Sequence, residues 1–397
     1  MNNSESDQQT STRTYGVGII GAGGIFAEHA RGYAQLARTR MVGLADVNEQ
    51  QMRRASKDFF IPYTTSDYHN LLARDDVDII DICTPPNLHE EMVLAALQAG
   101  KYVLCEKPLA PSLAAADRII AAAQAYPGKL SVIYQLRYVP EVRRILWLRD
   151  HQYLGELQFG RFSRYGSLPA GAKSAKAWWG RWGVAGGGAL MTQCIHEIDL
   201  ILHIFGPVAN VTARMGTLGK AIESEDTFSA TLEMESGAVV TCFCALGGQS
   251  NYAVNWDIVG GSSSAHLPWS FQSKDAGLRR AALKESLQQF PADGKRNLLP
   301  GLPGKVLAKV MSKLGVGKRS DPSRHKAYFA EFLRAIESGR EVPVSPQESR
   351  RSLEVCTAIY TSAITRQPVS LPLAPDCRFY HGITTNDYDG RSPGVSA

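Results

Sequence analysis

A glutamate and a lysine stand side by side where a predicted buried strand ends. The apolar run 103–105 is followed directly by Glu106, Lys107 and Pro108. Strands of α/β sheets deliver chemistry at their carboxyl ends, where loops gather around a ligand. A partly desolvated lysine there can hydrogen-bond a substrate oxygen or take part in proton transfer, and the carboxylate can position it. An ordinary charged turn is an equally open interpretation of these residues taken alone.

A second reactive group lies on a helix predicted over residues 189–203. Thr192, His196 and Asp199 are spaced by four and three residues, which places them on one helix face. The histidine can act as a general base near neutral pH, and an acidic neighbour one turn away can orient it or stabilise its charge. Helical histidines are more often structural, and His203 is expected to be such a case.

A glycine-rich run at residues 21–26 follows the first predicted strand. Gly21 and Gly23 occupy the first two glycine positions of a G-x-G-x-x-G fingerprint, where the backbone turns tightly and approaches a pyrophosphate. Phe26 stands at the third position, which predicts a looser contact between helix and strand. Gly24 and Ile25 complete the predicted cofactor loop.

The next predicted strand, 41–46, ends in Asp46, at about the expected distance of roughly twenty residues from the glycines. A carboxylate there accepts hydrogen bonds from both ribose hydroxyls and repels a 2′-phosphate, which favours NAD over NADP. Arg53 and Arg54 in the following helix keep NADP open, because an arginine could meet that phosphate. A simple turn or cap role for Asp46 is the alternative interpretation.

Strands and helices alternate through residue 136. Alternation of this kind builds a right-handed parallel sheet with helices on both faces. Residues 15–136 are therefore predicted to form a dinucleotide-binding domain. The predicted helices are 50–60, 66–74, 90–99 and 112–125, and the further strands are 77–83, 102–105 and 130–134. His89, after the proline-rich loop that follows strand 77–83, is expected to satisfy loop backbone groups and not to catalyse.

The pattern changes after residue 136, where a second domain over 137–397 is predicted. Its predicted strands are 157–165, 208–215, 224–234, 238–245 and 251–259, and its helices are 141–150, 189–203, 324–338 and 345–365. Trp178, Trp179 and Trp182 form either a sugar-stacking wall or a packed rim. A basic insertion at about 273–320 could cover a cleft, bind an anion or touch a membrane, although a solvated surface segment is favoured. His325 and Tyr360 are candidate cleft residues.

Composition excludes several classes of protein. A chain of 397 residues with 44% hydrophobic and 20% charged content is globular and long enough for two domains. Residues 1–14 are predicted to be a disordered tail without a signal peptide, and no apolar run is long enough to span a membrane. Seven cysteines without C-x-x-C indicate reduced thiols in a cytoplasmic protein. The net charge of +5 does not argue for nucleic acid.

Taken in order, several motifs together resemble the glucose-fructose oxidoreductase and inositol dehydrogenase family. They are the Gly21 and Gly23 pair, Thr84-Pro85-Pro86 with His89, Glu106-Lys107-Pro108, Arg137-Tyr138, and the glycine run 186–188 with His196 and Asp199. The likeness extends from residue 15 to about residue 373. It implies an α/β protein, in which a Rossmann domain precedes an α+β domain with a large, open, mainly antiparallel sheet. It also implies that a sugar or polyol lies between the domains over the nicotinamide ring.

The resemblance implies roles for individual residues. Lys107 and His196 would be catalytic, with Glu106 and Asp199 in support. Cofactor contacts would come from Gly21, Gly23, Gly24, Ile25, Phe26, Asp46, Thr84, Pro85, Pro86, His89, Glu106, Lys107 and Gln135. Substrate contacts would come from Lys107, Arg137, Tyr138, Trp178, Trp179, Thr192, Gln193 and His196. No metal is expected, and a homodimer or homotetramer is implied.

One residue departs from the family pattern. Many members carry an acidic residue, and others asparagine, at the position of Thr192. Threonine cannot supply that charge, so proton transfer rests on His196 and Lys107, or on Asp199 if it points inward. The expected activity is NAD(P)-dependent hydride transfer to or from a carbinol carbon. A lyase or glycoside hydrolase that oxidises its sugar transiently, and a non-catalytic NAD-binding regulator, are the alternatives.

Overall fold

The computed structural model describes residues 13–166, 178–248, 252–290 and 323–388. These residues form two β-sheets with helices packed on them. The first sheet is parallel, with the strand order β3-β2-β1-β4-β5-β6. Its strands are β1 (Tyr15–Ile20), β2 (Thr39–Ala45), β3 (Tyr63–Thr65), β4 (Ile79–Ile82), β5 (Tyr102–Cys105) and β6 (Leu130–Val132).

Five helices connect these strands and cover both faces of the sheet. They are α1 (Phe26–Tyr33), α2 (Glu49–Phe59), α3 (His69–Leu72), α4 (His89–Gln98) and α5 (Leu113–Ala123). Every residue of β1 and β4 is buried, as expected for a parallel sheet that is covered on both sides. The strand order reverses between β1 and β4, and ligands of doubly wound sheets bind at such a switch point. The predicted dinucleotide-binding fold is confirmed.

The second sheet has eight strands in the order β13-β12-β11-β7-β10-β9-β8-β14. Among its described pairs, only β7 and β10 run parallel, so the predicted mainly antiparallel sheet is confirmed. Its strands are β7 (Leu157–Tyr165), β8 (Val208–Gly216), β9 (Thr227–Met234), β10 (Val239–Ala245), β11 (Ala253–Gly260), β12 (Ser264–Leu267), β13 (Ser270–Gln272) and β14 (Val369–Ser370). Strands β12, β13 and β14 were not predicted, because two to four residues are too few to show a period of two.

The other described helices follow the first sheet in the chain. They are α6 (Pro140–Asp150), α7 (Trp182–Ala185), α8 (Ile195–Phe205), α9 (Ala276–Gln289), α10 (Ser323–Ser338) and α11 (Pro346–Thr365). Helix α10 packs on α1, and α11 packs on α5, α8 and β8. Helix α11 begins with a capping box in which Ser345 and Glu348 satisfy each other's backbone N–H groups. The C-terminal helices therefore contact the first sheet as well as the second.

Two predicted helices differ in the structure. The helix predicted over 66–74 is reduced to the four residues of α3. The helix predicted over 189–203 begins as a π-helix, Leu190–Cys194, before it continues as α8. Helix α9 occupies the first part of the predicted basic insertion, whereas residues 291–322 lie outside the described residues. Among the described helices, none combines the length and the apolar character that a membrane span requires.

Candidate active site

A cavity of about 1200 Å³ lies between the two sheets, at the carboxyl ends of the first-sheet strands. It brings together most of the residues singled out from the sequence. Those lining it are Gly21, Gly23, Gly24, Ile25, Asp46, Thr84, Pro85, Pro86, Glu106, Lys107, Gln135, Trp178, Trp179, Thr192, Gln193 and His196. The strand-end loops of the first sheet thus face the start of helix α8 across one cavity.

The glycine loop has the shape that a dinucleotide requires. Gly21 has φ +102, and a Cβ there would lie 2.9 Å from the carbonyl carbon and oxygen of Cys83. Gly23 and Gly24 line the cavity, and a Cβ on either would meet nothing within 4 Å. The backbone here is therefore open to the close approach of a pyrophosphate, and the residues fit the cofactor.

Asp46 directly follows β2, and backbone donors fix its carboxylate against the glycine loop. Its Oδ2 accepts a hydrogen bond of 2.6 Å from the Ala22 N–H, and its Oδ1 accepts one of 2.7 Å from the Asn48 N–H. The turn role and the ribose-binding role are therefore compatible, because Asp46 also lines the cavity. Arg53 pairs with Glu49 at 3.0 Å on the exposed face of α2.

Lys107 reaches from the first sheet to the backbone of the π-helix. Its Nζ donates a hydrogen bond of 2.7 Å to the Thr192 carbonyl oxygen. Burial lowers the pKa of the Lys107 amine, although the charge of Glu106 opposes this shift. The Thr192 hydroxyl donates to the Gly188 carbonyl at 2.7 Å, so threonine contributes a backbone acceptor to this lysine and no charge.

Glu106 belongs to a buried chain of charged groups behind the lysine. His29 lies between two carboxylates: its Nδ1 is 2.8 Å from Asp81 Oδ2 and its Nε2 is 3.0 Å from Glu106 Oε1. Burial opposes protonation of His29, but Asp81 outweighs it and raises the His29 pKa well above its usual range. Burial likewise opposes ionisation of Glu106, yet His29 and Lys107 lower the Glu106 pKa to about 2. Glu106 Oε2 accepts from the Lys107 backbone N–H at 3.1 Å, so the carboxylate positions the lysine through its main chain.

His196 presents a neutral imidazole to the same cavity. Its ring packs edge-on against Tyr134, with the ring centroids 5.9 Å apart. Burial lowers the pKa of His196 well below its usual range, and the charges of Lys107 and Arg164 add to this shift. Its Nδ1 is buried without a hydrogen-bond partner among the described residues. An unprotonated imidazole beside an ammonium group can accept a proton from a hydroxyl that both contact.

Comparison with known proteins shows which family the chain belongs to. Residues 15–134 match the model described as the oxidoreductase family, NAD-binding Rossmann fold, and residues 142–266 match the GFO/IDH/MocA C-terminal domain. The chain belongs to the GFO/IDH/MocA oxidoreductase family. It therefore carries an NAD-binding Rossmann domain.

Individual relatives of this GFO/IDH/MocA protein are distant. The uncharacterized oxidoreductase YrbE of Bacillus subtilis is 28% identical over 233 residues, 57% of this chain and 66% of the relative. D-apiose dehydrogenase of Paraburkholderia graminis is 24% identical over 91% of each chain. Among solved structures, the WlbA dehydrogenase of Bordetella pertussis in complex with NADH and UDP-GlcNAcA has a TM-score of 0.74 at 23% identity, covering 92% of this chain and 99% of that one. At that identity the structural likeness shows the fold alone.

Two of the residues expected in the site, Arg137 and Asp199, bind each other. Arg137 donates to both carboxylate oxygens of Asp199, from Nε at 2.8 Å and from Nη2 at 2.7 Å. Its Nη1 donates to Glu348 at 2.9 Å, and Ser352 donates to Asp199 at 3.3 Å. Neither Arg137 nor Asp199 is among the described residues that line the cavity. Asp199 is thus paired with Arg137 and does not reach His196 in this structure, and substrate binding by Arg137 stays a prediction.

Three further expected ligand contacts also lie outside the lining formed by the described residues. The Tyr138 ring packs edge-on against Tyr328, with centroids 5.3 Å apart. Phe26 is buried beneath the glycine loop, where it packs edge-on against Phe59. His89 lies with its ring nitrogens 2.9 Å from the carbonyl oxygens of Pro108 and Thr84. It holds the two strand-end loops together, and the cofactor contacts implied for His89 and Phe26 and the substrate contact implied for Tyr138 stay predictions.

Several residues of the site were not predicted from sequence. Arg164 and Arg324 line the cavity, as do Tyr68 and Cys83, and His29 supports Glu106 from behind. Arg164 is the penultimate residue of β7. It lies on the covered face of the second sheet, where it pairs with Glu197. An arginine at a buried position of an alternating strand was the available signal. His29 carries no comparable signal, because its partners are distant in the chain.

The start of the histidine-bearing helix is held by Glu225, which was also not predicted. Its carboxylate accepts from the N–H groups of Gly188 at 3.0 Å and Leu190 at 2.8 Å, and from the Tyr360 hydroxyl at 3.0 Å. Burial raises the pKa of Glu225 to about 7, although these donors oppose the shift. Tyr360 is thus a support of the helix and not a cleft residue. His325 is buried beside His29, with the ring centroids 4.8 Å apart.

Proposed function

We propose that this protein is an NAD(P)-dependent oxidoreductase that transfers a hydride between nicotinamide and a hydroxyl-bearing carbon of a sugar, polyol or sugar derivative. The observation that carries the proposal is the meeting of Lys107 and a neutral His196 in the cavity of the glycine loop. Asp46 at the far end favours NAD, with NADP possible. Catalytic roles rest on Lys107 and His196, and Glu106 acts as a positioning residue.

His196 and Lys107 have different roles in the oxidation of an alcohol. His196 accepts the hydroxyl proton at Nε2, since its Nδ1 is buried. Lys107 donates a hydrogen bond to the oxygen as negative charge develops there, from a site where burial strengthens such a bond. Bound NAD supplies the acceptor for the hydride that leaves the same carbon. The products are a carbonyl compound, reduced cofactor and one proton held by His196.

Relatives support the sugar-like substrate class. The Paraburkholderia relative is named for the oxidation of a sugar, D-apiose, and the WlbA structure contains a nucleotide sugar with NADH. Trp178 and Trp179 line the cavity of this chain, and we assign them to the substrate side. We also retain the domain division near residue 136 and a cytoplasmic location as parts of the proposal.

The outer face of the second sheet supports a homodimer or homotetramer. Phe159 and Tyr165 on β7 lie beside Val239 and Phe243 on β10, and each is between 37% and 40% exposed. Arg161, Ser163 and Thr241 stand between them on the same face, and exposed apolar side chains rimmed by polar residues are typical of a protein interface. A second copy of this chain is the proposed partner, and light scattering of the purified protein tests it: a monomer would contradict this part.

Absorbance of reduced nicotinamide tests the activity. Purified protein is given NAD or NADP with a panel of sugars, polyols and sugar acids, and the signal is followed over many turnovers. Net reduction that continues with added cofactor is the expected result. Product formed with protein-bound NAD but no net reduction would replace the proposal with a transient-oxidation lyase or hydrolase. Neither product nor reduction across the panel would favour a regulator.

A further inference from the structure

A buried histidine beside the charged chain of Lys107 has polar atoms that the packing does not use. His325 is 5% exposed, and neither of its ring nitrogens has a hydrogen-bond partner among the described residues. Its ring lies against the ring of His29, with the centroids 4.8 Å apart and the planes at 43°. A buried polar group without a partner is costly, and it commonly marks a place where an ion or a water binds.

Close packing of α1 and α10 brings the two imidazoles together. A Cβ on Gly32, one turn after His29, would lie 3.3 Å from the Cβ of His325 and 2.9 Å from the Phe329 ring. The helices approach this closely because residue 32 has no side chain. Ligand atoms of His29, Glu106 and His325 all lie within 4.8 Å of one another. The fold thus holds two imidazoles and a carboxylate at one buried point.

We propose that His29, Glu106 and His325 bind a divalent transition metal such as Zn²⁺, although no metal was expected from the sequence. Zinc binds two imidazoles and one carboxylate in tetrahedral sites that keep a fourth position open. His29 Nε2 and Glu106 Oε1 are 3.0 Å apart, close to the roughly 3.3 Å between two donors of a tetrahedral zinc site. The metal takes the place of the proton that these two atoms share, and His325 supplies the third donor. This inference does not depend on the proposed hydride transfer.

The surroundings of His29 and Glu106 match those of metal ligands. His29 Nδ1 lies 2.8 Å from Asp81 Oδ2, so Nδ1 donates to a carboxylate while Nε2 faces Glu106. Pairing of a ligand histidine with a carboxylate fixes the ring in metal sites. Glu106 Oε2 accepts from the Lys107 backbone N–H at 3.1 Å, which fixes the carboxylate in turn. Glu106 also lines the cavity, which gives an ion a route to the site.

Cys83 and Asp81 form a second group around His29, whose ligand atoms also lie within 4.8 Å of one another. These atoms already contact each other: His29 Nδ1 is 2.8 Å from Asp81 Oδ2 and 3.2 Å from Cys83 Sγ. A metal there would break the hydrogen bond that orients His29. The site with His325 keeps that bond and replaces only the proton between His29 and Glu106, so it is the site that we assign.

Zinc binding to the full chain tests the assignment. The protein is stripped with EDTA, moved into chelator-free buffer and titrated with Zn²⁺ by calorimetry. Wild type should bind one ion per chain, and His325→Phe should lower the affinity by more than about 100-fold, since a ligand contributes at least as much as an outer-shell partner. His69→Phe is the control and should bind like wild type, because His69 is 60% exposed and pairs with Asp67. Mg²⁺ prefers oxygen ligands and should not compete.

The same variants check the fold and the identity of the ligands. Metal-free His325→Phe should melt at or above the temperature of metal-free wild type, because phenylalanine fills a similar space without buried polar nitrogens. Zn²⁺ should raise the melting temperature of wild type and of His69→Phe, but not of His325→Phe. Cys83→Ser should retain zinc binding, and Co²⁺-loaded wild type should show no thiolate-to-cobalt absorption band.

Three outcomes would overturn the inference. The first is the lack of saturable Zn²⁺ binding by wild type. The second is equal affinity in wild type and His325→Phe. The third is a thiolate-to-cobalt band in wild type together with loss of binding in Cys83→Ser, which would place the metal on the other group around His29. None of these measurements uses enzymatic turnover, so each outcome is independent of the proposed activity.

Discussion

Lys107 and His196 owe their proposed reactivity to burial in a shared cavity. Burial lowers the pKa of the amine and of the imidazole, so the histidine can accept a proton at neutral pH. Their support comes from groups that no local pattern connects to them. The Asp81–His29–Glu106 chain holds the lysine backbone, and the Thr192 carbonyl holds its amine.

Replacement of Lys107 by Met should lower kcat by about 10²- to 10⁴-fold, because the developing alkoxide loses its charged donor. The affinity for NADH should change little, since the glycine loop and Asp46 hold most of the cofactor. Stopped-flow rates and fluorescence titration with NADH measure the two quantities. Retention of wild-type kcat would remove Lys107 from the mechanism.

Replacement of Asp199 by Ala should destabilise the fold by about 3–5 kcal/mol, because Arg137 would keep a buried charge with only Glu348 as partner. Urea unfolding measures this loss. Asp150→Ala removes a surface partner of Arg149 that is 56% exposed, and should cost less than about 1 kcal/mol.

The same Asp199 variant distinguishes a structural role from a catalytic one. The pH dependence of kcat should keep its wild-type midpoint in the folded variant, because Asp199 pairs with Arg137 and not with His196. A shifted midpoint with unchanged stability would restore the orienting role that the sequence suggested.

At the scale of elements, the helix that carries His196 depends on what holds its first turns. The glycine run 186–188 lets the chain pass close to its neighbours: a Cβ at Gly188 would lie 1.9 Å from the Glu225 carbonyl oxygen, and one at Gly187 would lie 2.0 Å from the Tyr360 hydroxyl. Glu225 accepts hydrogen bonds from N–H groups at the start of the π-helix. Without this carboxylate these N–H groups would be buried with no hydrogen-bond partner.

The raised pKa of Glu225 predicts a loss of stability as pH rises. The folded-state pKa is about 7 against an ordinary value of 4.5, so between these values the folded state binds a proton that the unfolded chain has released. Stability conferred by this group is therefore present below about pH 4.5 and is lost through about pH 7, by roughly 3 kcal/mol in total. Glu225→Gln cannot ionise and should lack this component.

Urea unfolding at pH 5 and pH 8 measures the difference between wild type and Glu225→Gln. Glu223→Gln, two residues earlier and 41% exposed, should retain the wild-type dependence on pH. The same pH slope in Glu225→Gln as in wild type would show that the carboxylate stays ionised in the folded protein.

At the scale of the whole molecule, the chain returns to its first sheet after building the second. Residues 376–388, for which the sequence offered no explanation, pack on α5 and α11. The Ala114 N–H donates to the Tyr380 carbonyl at 3.0 Å, and the Tyr380 hydroxyl contacts Asp117 and Arg350. The terminal segment therefore packs across both α5 and α11.

Replacing Phe379, which is 1% exposed, tests how much the segment 376–388 contributes to the stability of the fold. Phe379→Ala should destabilise the protein by about 3–5 kcal/mol, since it removes a buried ring and leaves a cavity. Leu218→Ala, at a residue 71% exposed, should stay within about 0.5 kcal/mol of wild type. Equal effects in chemical unfolding would mean that the terminal segment does not stabilise the fold.

Local patterns in the sequence were sufficient for the Rossmann domain and for several cavity residues, whereas the open, mainly antiparallel second sheet was expected from the family resemblance. Strand and helix periods, the glycine turn and the charged end of β5 are properties of a few consecutive residues, so the Rossmann sheet and the positions of Gly21, Asp46 and Lys107 could be predicted. The fingerprint predicted the loop, and the strand ends predicted the edge of the sheet at which the cavity opens.

Tertiary structure alone decided which side chain meets which partner. Asp199 and His196 share a helix, yet Asp199 binds Arg137, 62 residues earlier in the chain, while His196 faces the cavity. Glu106 is held by His29 across 77 residues, and Glu225 reaches Gly188 across 37. Helical spacing gives the relative direction of neighbouring side chains, but the packing of other elements determines what each one contacts. Buried charges pair wherever the fold brings opposite charges together. The local periodicity of the sequence does not determine which distant residues come into contact.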